Sequence, residues 1–230
     1  MAVNFATIDK LIEEGFLMDS RFNSPAEIAS LVSKSGVTKS MLSLPKMILL
    51  GLMAGAFIAF GGAASDVAMH GVADVGLARV VAGVIFPVGL MLVVFTGSEL
   101  FTGNCLMIIP TLEKKIKVAS MLRNLVVVYI SNFVGAMIID LLITFSGQLN
   151  YSNGGLGAFT IKVALAKTTI NPATAIISGI LCNILVCLAI VMATGATDAI
   201  GKIFGVFFPI CAFVVCGFEH CVANMFYIPT

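Results

Sequence analysis

The sequence predicts an all-α integral membrane protein built as an inverted repeat, and three observations support this fold class. Apolar residues make up 59% of the 230 residues and charged residues only 11%, too few to cover a soluble protein of this size. Five apolar blocks are long enough, or nearly so, to cross a hydrocarbon core of about 30 Å. One short polar motif occurs twice, each time inside an apolar run. The net charge of +1 argues against a nucleic-acid binder, which must neutralise many phosphates.

The chain opens with a segment of mixed character, residues 1–40. Ser24 followed by Pro25 and Glu27 predicts the start of a short amphipathic helix near 25–35, and we expect this helix to lie along the membrane surface. The five apolar blocks follow, and they are residues 42–64, 78–96, 121–145, 172–195 and 202–218.

The basic residues of the loops predict how the chain is oriented in the membrane. The loop at 65–77 has no lysine or arginine. The loop at 111–124 carries Lys114, Lys115, Lys117 and Arg123. The positive-inside rule therefore places the N-terminus and the 111–124 loop in the cytoplasm and the 146–171 loop outside. We expect a multi-pass protein of the cell membrane, plasma or inner.

The repeated motif predicts the inverted repeat. Residues 97–104 (GSELFTGN) and 217–224 (GFEHCVAN) both read G-x-E-x-x-x-x-N, each with Phe-Pro upstream and Pro downstream. Three spans separate equivalent points, so the two copies should face opposite ways across the bilayer. This gives one channel domain over 1–230, with a first repeat at 42–145 and an incomplete second repeat at 172–230. We expect a last span, the partner of 121–145, to be missing from this chain.

Each motif places a carboxylate and glycines at membrane depth, which predicts a broken helix in spans 2 and 5. A charge there costs several kcal/mol, and a break leaves backbone N–H groups that need acceptors. We interpret Glu99 and Glu219 as clamps that accept hydrogen bonds from these N–H groups. Gly97 and Gly103 support the first break.

His220 is the only histidine in a predicted span. It stands at the second break, beside Glu219 and opposite the Thr/Gly/Asn-rich first break, and we therefore predict that it lines a pore. No cofactor and no metal site are expected. Cys211, Cys216 and Cys221 are each rotated about 140° from the previous one on a helix, so they cannot share a face as ligands.

These motifs resemble the formate/nitrite transporter family over most of the chain, from about Ala26 to its end. The matching stretches are 97–104, 181–193 (LCNILVCLAIVMA) and 217–229 (GFEHCVANMFYIP). The resemblance implies an aquaporin-like six-span fold and a homopentamer with one pore in each subunit. It also implies bidirectional or proton-coupled passage of small monovalent anions such as formate, nitrite or hydrosulfide. Residues 97–104 and 164–169 (ALAKTT) are more similar to nitrite- or hydrosulfide-type members than to formate-type ones.

The resemblance also implies roles for particular residues. His220 is matched to the family's central histidine, with Thr102 as its partner across the pore. The other residues of the substrate pathway would be Asn183, Asn224 and the entrance lysines Lys167 and Lys39. The apolar constrictions would be formed by Phe86, Leu90, Leu100, Phe101 and Phe213.

Three other readings of the sequence stay open. An aquaporin-like channel for water or neutral solutes would explain the inverted repeat, but it would need neither the lysines nor His220. Its Asn-Pro-Ala box occurs here once, at 171–173, where it fits an ordinary helix start. An intramembrane enzyme would need a nucleophile–base pair, and none stands at a suitable spacing, so we do not expect an enzyme. A purely structural subunit would not need two broken helices.

Overall fold

The computed structural model describes residues 22–230, and the predicted N-terminal segment therefore lies partly outside the described residues. The described chain folds into helices joined by short connections. They are α1 (Pro25–Ser40), α2 (Leu44–Met69), α3 (Val75–Ile85), α4 (Val88–Thr96), α5 (Phe101–Asn104), a 3₁₀ turn (Cys105–Met107), α6 (Ile108–Leu112), α7 (Val118–Ser146), a second 3₁₀ turn (Gln148–Asn150), α8 (Gly155–Thr168), α9 (Pro172–Gly195), α10 (Ala199–Cys216) and α11 (Cys221–Tyr227).

Helix α1 begins where the sequence predicts it. The Ser24 side chain accepts the N–H of Glu27, and the Glu27 carboxylate accepts the N–H of Ser24 at 2.7 Å, which is a complete capping box. The helix continues to Ser40 rather than ending near residue 35. Its buried face includes Ile28 and Gly36, and it packs on α9 and on α6. Its position relative to the membrane surface stays a prediction.

The five predicted spans are confirmed as helices long and apolar enough to cross a membrane within the described residues. They are Leu44–Met69, Val75–Thr96, Val118–Ser146, Pro172–Gly195 and Ala199–Cys216. The second span combines α3 and α4, which a turn at Phe86 and Pro87 separates. Large apolar side chains are exposed along the outer faces of these helices, for example Leu122, Val126 and Ile130 on α7 and Ile176, Ile180 and Ile184 on α9. The chain is therefore a multi-pass membrane protein.

Among the described helices, α2 and α7 make the most extensive contact with each other, and small residues make this close packing possible. A Cβ on Gly55 would stand 1.9 Å from the carbonyl oxygen of Asn132. Likewise, a Cβ on Gly135 would stand 2.0 Å from the carbonyl oxygen of Leu52. The two backbones approach so closely because neither glycine has a side chain. This packing fixes α7 beside the first break.

One prediction is wrong in the 146–171 region, which was expected to be a loop. It contains α8, whose Leu156 and Thr160 are buried one turn apart. Its 14 residues are too few for a span, so length did not reveal this helix. The interpretation of Asn171 as a helix start is confirmed, because its side chain accepts the N–H of Ala173 at 2.9 Å.

Candidate functional site

Two central helices stop inside the bundle, and they stop in the same backbone geometry. Helix α4 ends at Gly97 (φ 67°, ψ 28°) and α10 ends at Gly217 (φ 71°, ψ 29°). Both glycines occupy the left-handed region, which glycine adopts without steric cost. Three non-helical residues follow each glycine before the short helices α5 and α11 begin. The predicted breaks in spans 2 and 5 are therefore present.

At the first break, Glu99 is held by two side chains. Its Oε1 accepts a hydrogen bond from Lys39 Nζ at 2.6 Å, and its Oε2 accepts one from Asn104 Nδ2 at 2.7 Å. Asn104 Nδ2 also donates to Asn124 Oδ1 of α7 at 2.8 Å. Lys39 belongs to α1, so the ion pair joins the N-terminal helix to the break.

At the second break, Glu219 makes the corresponding contacts. Its Oε2 lies 2.9 Å from Lys167 Nζ and 2.7 Å from Asn224 Nδ2. Lys167 belongs to the unexpected helix α8. The repeated Glu and Asn of the motif thus make the same bond in both copies, and each pair receives a lysine from a helix outside its motif.

The prediction that the two glutamates clamp the freed backbone N–H groups is wrong. The N–H of Phe101 donates to Asn132 Oδ1, and the N–H of Glu219 donates to Ser178 Oγ, both at 2.9 Å. Asn132 Nδ2 donates in turn to the carbonyl of Glu99 at 2.9 Å. Neutral side chains therefore accept the hydrogen bonds of these backbone N–H groups, while the carboxylates accept the stronger charge-assisted hydrogen bonds from lysine.

His220 and Thr102 meet between the two breaks. His220 Nε2 lies 3.2 Å from Thr102 Oγ1, and both residues are buried. The N–H of Ala223 donates to His220 Nδ1 at 3.0 Å. Nδ1 is therefore an acceptor, which assigns the proton of the neutral ring to Nε2. Asn183 Nδ2 donates to the carbonyl of Thr102 at 2.9 Å.

Two cavities lie near this pair, and each contains one of the two lysines that pair with a motif glutamate. The Lys167 vestibule has a volume of about 370 Å³. Its walls include Lys167, Glu219, His220, Asp66, Arg79 and Tyr227. The Lys39 vestibule has a volume of about 390 Å³. Its walls include Lys39, Glu99, Leu90, Leu100 and Gly103.

Buried apolar side chains separate the two vestibules. Phe86 and Phe213 meet edge to face with ring centroids 5.6 Å apart, and Phe213 stacks on His220 at 5.7 Å. Phe86 lines the Lys167 vestibule, whereas Leu90, one helical turn further on, lines the Lys39 vestibule. Because four helical residues rise about 6 Å, the apolar neck between the vestibules is short.

Phe101 lines a different cavity from the other four residues predicted to form the constrictions, and Gly103 lines the Lys39 vestibule. Phe101 packs edge to face on Tyr129 of α7, with centroids 4.9 Å apart. It lines a third cavity of about 530 Å³ together with Thr102, Asn183 and His220. Asn224 lines both this cavity and the Lys167 vestibule. Gly103 lies inside α5, where a Cβ would find Ile190 no closer than 3.6 Å. It is therefore not required for the break as Gly97 is.

Sequence reasoning missed several polar residues around the site. The signal for Asn132 and Asn124 was available, because an amide inside an apolar run is rare without a function. Asp66 was assigned to a loop because the first apolar block was ended at residue 64. In the structure α2 continues to Met69, and Asp66 lies buried on its last turns.

Comparisons with known proteins agree with this arrangement. The family model for formate/nitrite transporters matches residues 26–230. A "Probable formate transporter" of Methanothermobacter thermautotrophicus is 43% identical over 230 residues, covering 92% of this chain and 84% of the relative. A formate channel of Bacillus thuringiensis is 41% identical over 210 residues, covering 90% and 80%.

A solved structure is similar in fold as well as in sequence. It is a pentameric formate channel with formate bound, and it matches with a TM-score of 0.74 and 33% identity. The match covers 81% of this chain and 74% of that chain. The fold, the two breaks and these matches lead to one conclusion: the chain is a member of the formate/nitrite transporter family.

Proposed function

We propose that the protein is a membrane channel for small monovalent weak-acid anions, with formate as the first candidate. The observation that carries this proposal is the buried contact between Thr102 and His220, which stands between two lysine-bearing vestibules. The names of the relatives support formate. Nitrite and hydrosulfide, which the short stretches of sequence favoured, remain candidates because the contacts of the site suit any small oxygen- or sulfur-bearing anion.

The vestibules are where we propose that the anion enters. Lys167 and Lys39 place a cation at each mouth, and a cation at a narrow mouth raises the local concentration of anions. Glu219 and Glu99 hold these lysines in place at 2.9 Å and 2.6 Å. Glutamate pairing also keeps the charge of each mouth low, which permits an anion to leave again.

Passage through the neck is the step at which the protein selects the anion. Phe86 and Phe213 on one side and Leu90 and Leu100 on the other offer no hydrogen bonds. A bare anion pays several kcal/mol or more to enter such a place. A weak-acid anion avoids this cost by crossing with a proton as the neutral acid, whereas chloride has no such option.

His220 is proposed to contribute a hydrogen bond at this step. Its Nε2–H points at Thr102 Oγ1 and can turn to an oxygen of the passing solute. To take a second proton at Nδ1, the ring would have to release the N–H of Ala223. Proton coupling through His220 thus requires opening the cap of α11. Asn183 and Asn224 offer further polar contacts beside the pair.

The assembly and orientation follow from the same reasoning. We propose a homopentamer because the solved relative is a pentameric channel and because α7 and α9 expose apolar faces. The basic 111–124 loop supports a cytoplasmic N-terminus, which places the Lys39 vestibule inside and the Lys167 vestibule outside the cell. The matching breaks support an inverted repeat.

Flux measurements in proteoliposomes test the proposal. Formate, nitrite, hydrosulfide, chloride and glycerol are compared in vesicles with the protein and in vesicles without it. We expect protein-dependent flux of the weak-acid anions, at least about tenfold above chloride, because a bare anion pays several kcal/mol in the neck and about 1.4 kcal/mol of barrier is tenfold in rate. Flux of glycerol without anion flux would contradict the proposal and indicate a neutral-solute channel.

A further inference from the structure

The Lys167 vestibule contains a carboxylate that the mechanism above does not use. Asp66 lies on the last turns of α2, is 4% exposed and lines the vestibule. Its Oδ2 is buried and has no hydrogen-bond partner among the residues that the structure describes. A buried carboxylate oxygen almost always has a donor, so this atom points to a partner that arrives from outside.

The charges that share the vestibule with Asp66 come from three other elements. Arg79 of α3, Lys167 of α8 and Glu219 of the second break line the same cavity. The Arg79 guanidinium reaches the break, since its Nη1 lies 3.1 Å from where a Cβ on Gly217 would stand. With Asp66 ionised, the vestibule holds two cations and two anions. With Asp66 protonated, one positive charge is in excess.

The other titratable groups at this end of the bundle have partners or lie away from the cavity. The Tyr227 hydroxyl lines the cavity but bonds Ser65 Oγ at 3.0 Å. His220 holds Ala223 and Thr102 through its two ring nitrogens. Five groups lie outside the cavity walls: His70, which bonds Val67 and Ser152, Asp140, which accepts from Thr230, the exposed Asp74, which caps α3, and the exposed Lys162 and Tyr151.

We propose that Asp66 is a proton-binding site at which a proton and a weak-acid anion bind together in the Lys167 vestibule. A proton from the adjoining solution converts the carboxylate to a carboxylic acid, and no other bond is made or broken. The carboxylate, whose Oδ2 has no donor in the described part of the chain, then becomes a carboxylic acid with one O–H donor. Asp66 lines a cavity whose net charge is now positive, so an oxygen of the anion gains both a carboxylic acid donor and a counter-charge.

This inference rests on the proposed function and adds a pH dependence to it. Acidic solution at the Lys167 mouth protonates Asp66, and the vestibule then binds the anion more tightly. Neutral solution leaves the vestibule without excess charge. The binding of proton and anion is reciprocal, because each raises the affinity for the other by the same factor.

The test uses Asp66→Asn, which is uncharged at every pH and keeps a side-chain N–H donor. The matched control is Asp74→Asn, which removes the same charge at the same end of the bundle. Asp74 is exposed and outside the vestibule, and asparagine caps helices as well as aspartate does. Formate uptake is measured in proteoliposomes with equal buffer inside and outside, at pH about 5.5 and about 7.5.

We expect wild type and Asp74→Asn to take up formate faster at the lower pH. In Asp66→Asn, uptake at the higher pH should rise toward the acidic rate, so that the ratio between the two pH values falls by up to about tenfold. An unchanged ratio, or slow uptake at both pH values, would overturn the assignment of Asp66. Absence of formate uptake by the wild type would instead overturn the proposed function.

A second measurement does not depend on transport. Infrared difference spectra between the two pH values should show the carbonyl band of a protonated carboxyl group in wild type and in Asp74→Asn. Asp66→Asn should lack that band. If the band persists in a folded Asp66→Asn protein, as judged by its thermal unfolding, another carboxylate takes up the proton and the proposal is wrong.

Discussion

The first and the second helix break share their backbone but differ in the residue that stands at the fourth position of the motif. Position four is Leu100 in the first break and His220 in the second. Both residues are extended, with φ of −105° and −108°. The shared Gly, Glu and Asn shape the break in both copies. Of the residues that differ between the copies, His220 is the one that faces Thr102. The polar contact at the site therefore lies on residues that the two copies do not share.

The two breaks also differ in how their backbone is satisfied. In the first, Asn132 of α7 accepts the N–H of Phe101 and donates to the carbonyl of Glu99. In the second, His220 itself accepts the N–H of Ala223. In the part of the chain that the structure describes, both breaks have a side-chain acceptor on another helix, Asn132 in the first and Ser178 in the second, but only the second also has one of its own. In the second break, Nδ1 of His220 caps α11, and Nε2 of the same ring remains beside Thr102.

The largest effect that this difference predicts is the loss of Asn132. Asn132→Ala leaves the N–H of Phe101 and the carbonyl of Glu99 without these partners and removes a further bond to the carbonyl of Gly51. This should lower the free energy of unfolding by about 3–5 kcal/mol. The control is Ser178→Ala, which removes only the acceptor for the N–H of Glu219 and should cost about 1 kcal/mol. Thermal and denaturant unfolding in detergent measure both. Equal costs would show that the first break does not depend on Asn132.

A smaller effect is expected from the two ion pairs. The Glu99 side chain is 4% exposed and the Glu219 side chain 14%. Glu99→Gln should therefore cost about 2 kcal/mol and Glu219→Gln about 1 kcal/mol in free energy of unfolding, because solvent screens the charge of the less exposed carboxylate less. The same unfolding experiments compare them. A greater loss of unfolding free energy in Glu219→Gln than in Glu99→Gln would contradict this ranking of the two ion pairs.

Much of the fold was readable from the sequence because bilayer depth imposes a length and a composition. The five spans and α1 were predicted from apolar length and from the Ser24 cap. The breaks were predicted because glycine and a carboxylate do not otherwise persist at that depth. The pairing of Thr102 with His220 came from family resemblance, and no spacing in the chain alone would have revealed it.

Other features depend on contacts between distant segments. Helix α8 is too short to stand out by length, yet it carries Lys167 to Glu219, 52 residues away. Asp66 was assigned to a loop, because apolar character falls off before the helix itself ends. The acceptors of the freed N–H groups, Asn132 and Ser178, lie on other helices. Their partners are set by packing, which the local pattern does not encode.

The central claim is that His220 distinguishes the second break by selecting weak-acid anions, and His220→Asn tests it most directly. Asparagine is a good helix cap, so the N–H of Ala223 keeps an acceptor while the ring Nε2–H is lost. Formate and chloride flux are measured in proteoliposomes of wild type, His220→Asn and Thr102→Val across a range of pH. We predict that the formate-to-chloride ratio falls by about tenfold in His220→Asn, with a smaller fall in Thr102→Val. An unchanged ratio together with an unchanged pH dependence in a folded His220→Asn protein would contradict the account.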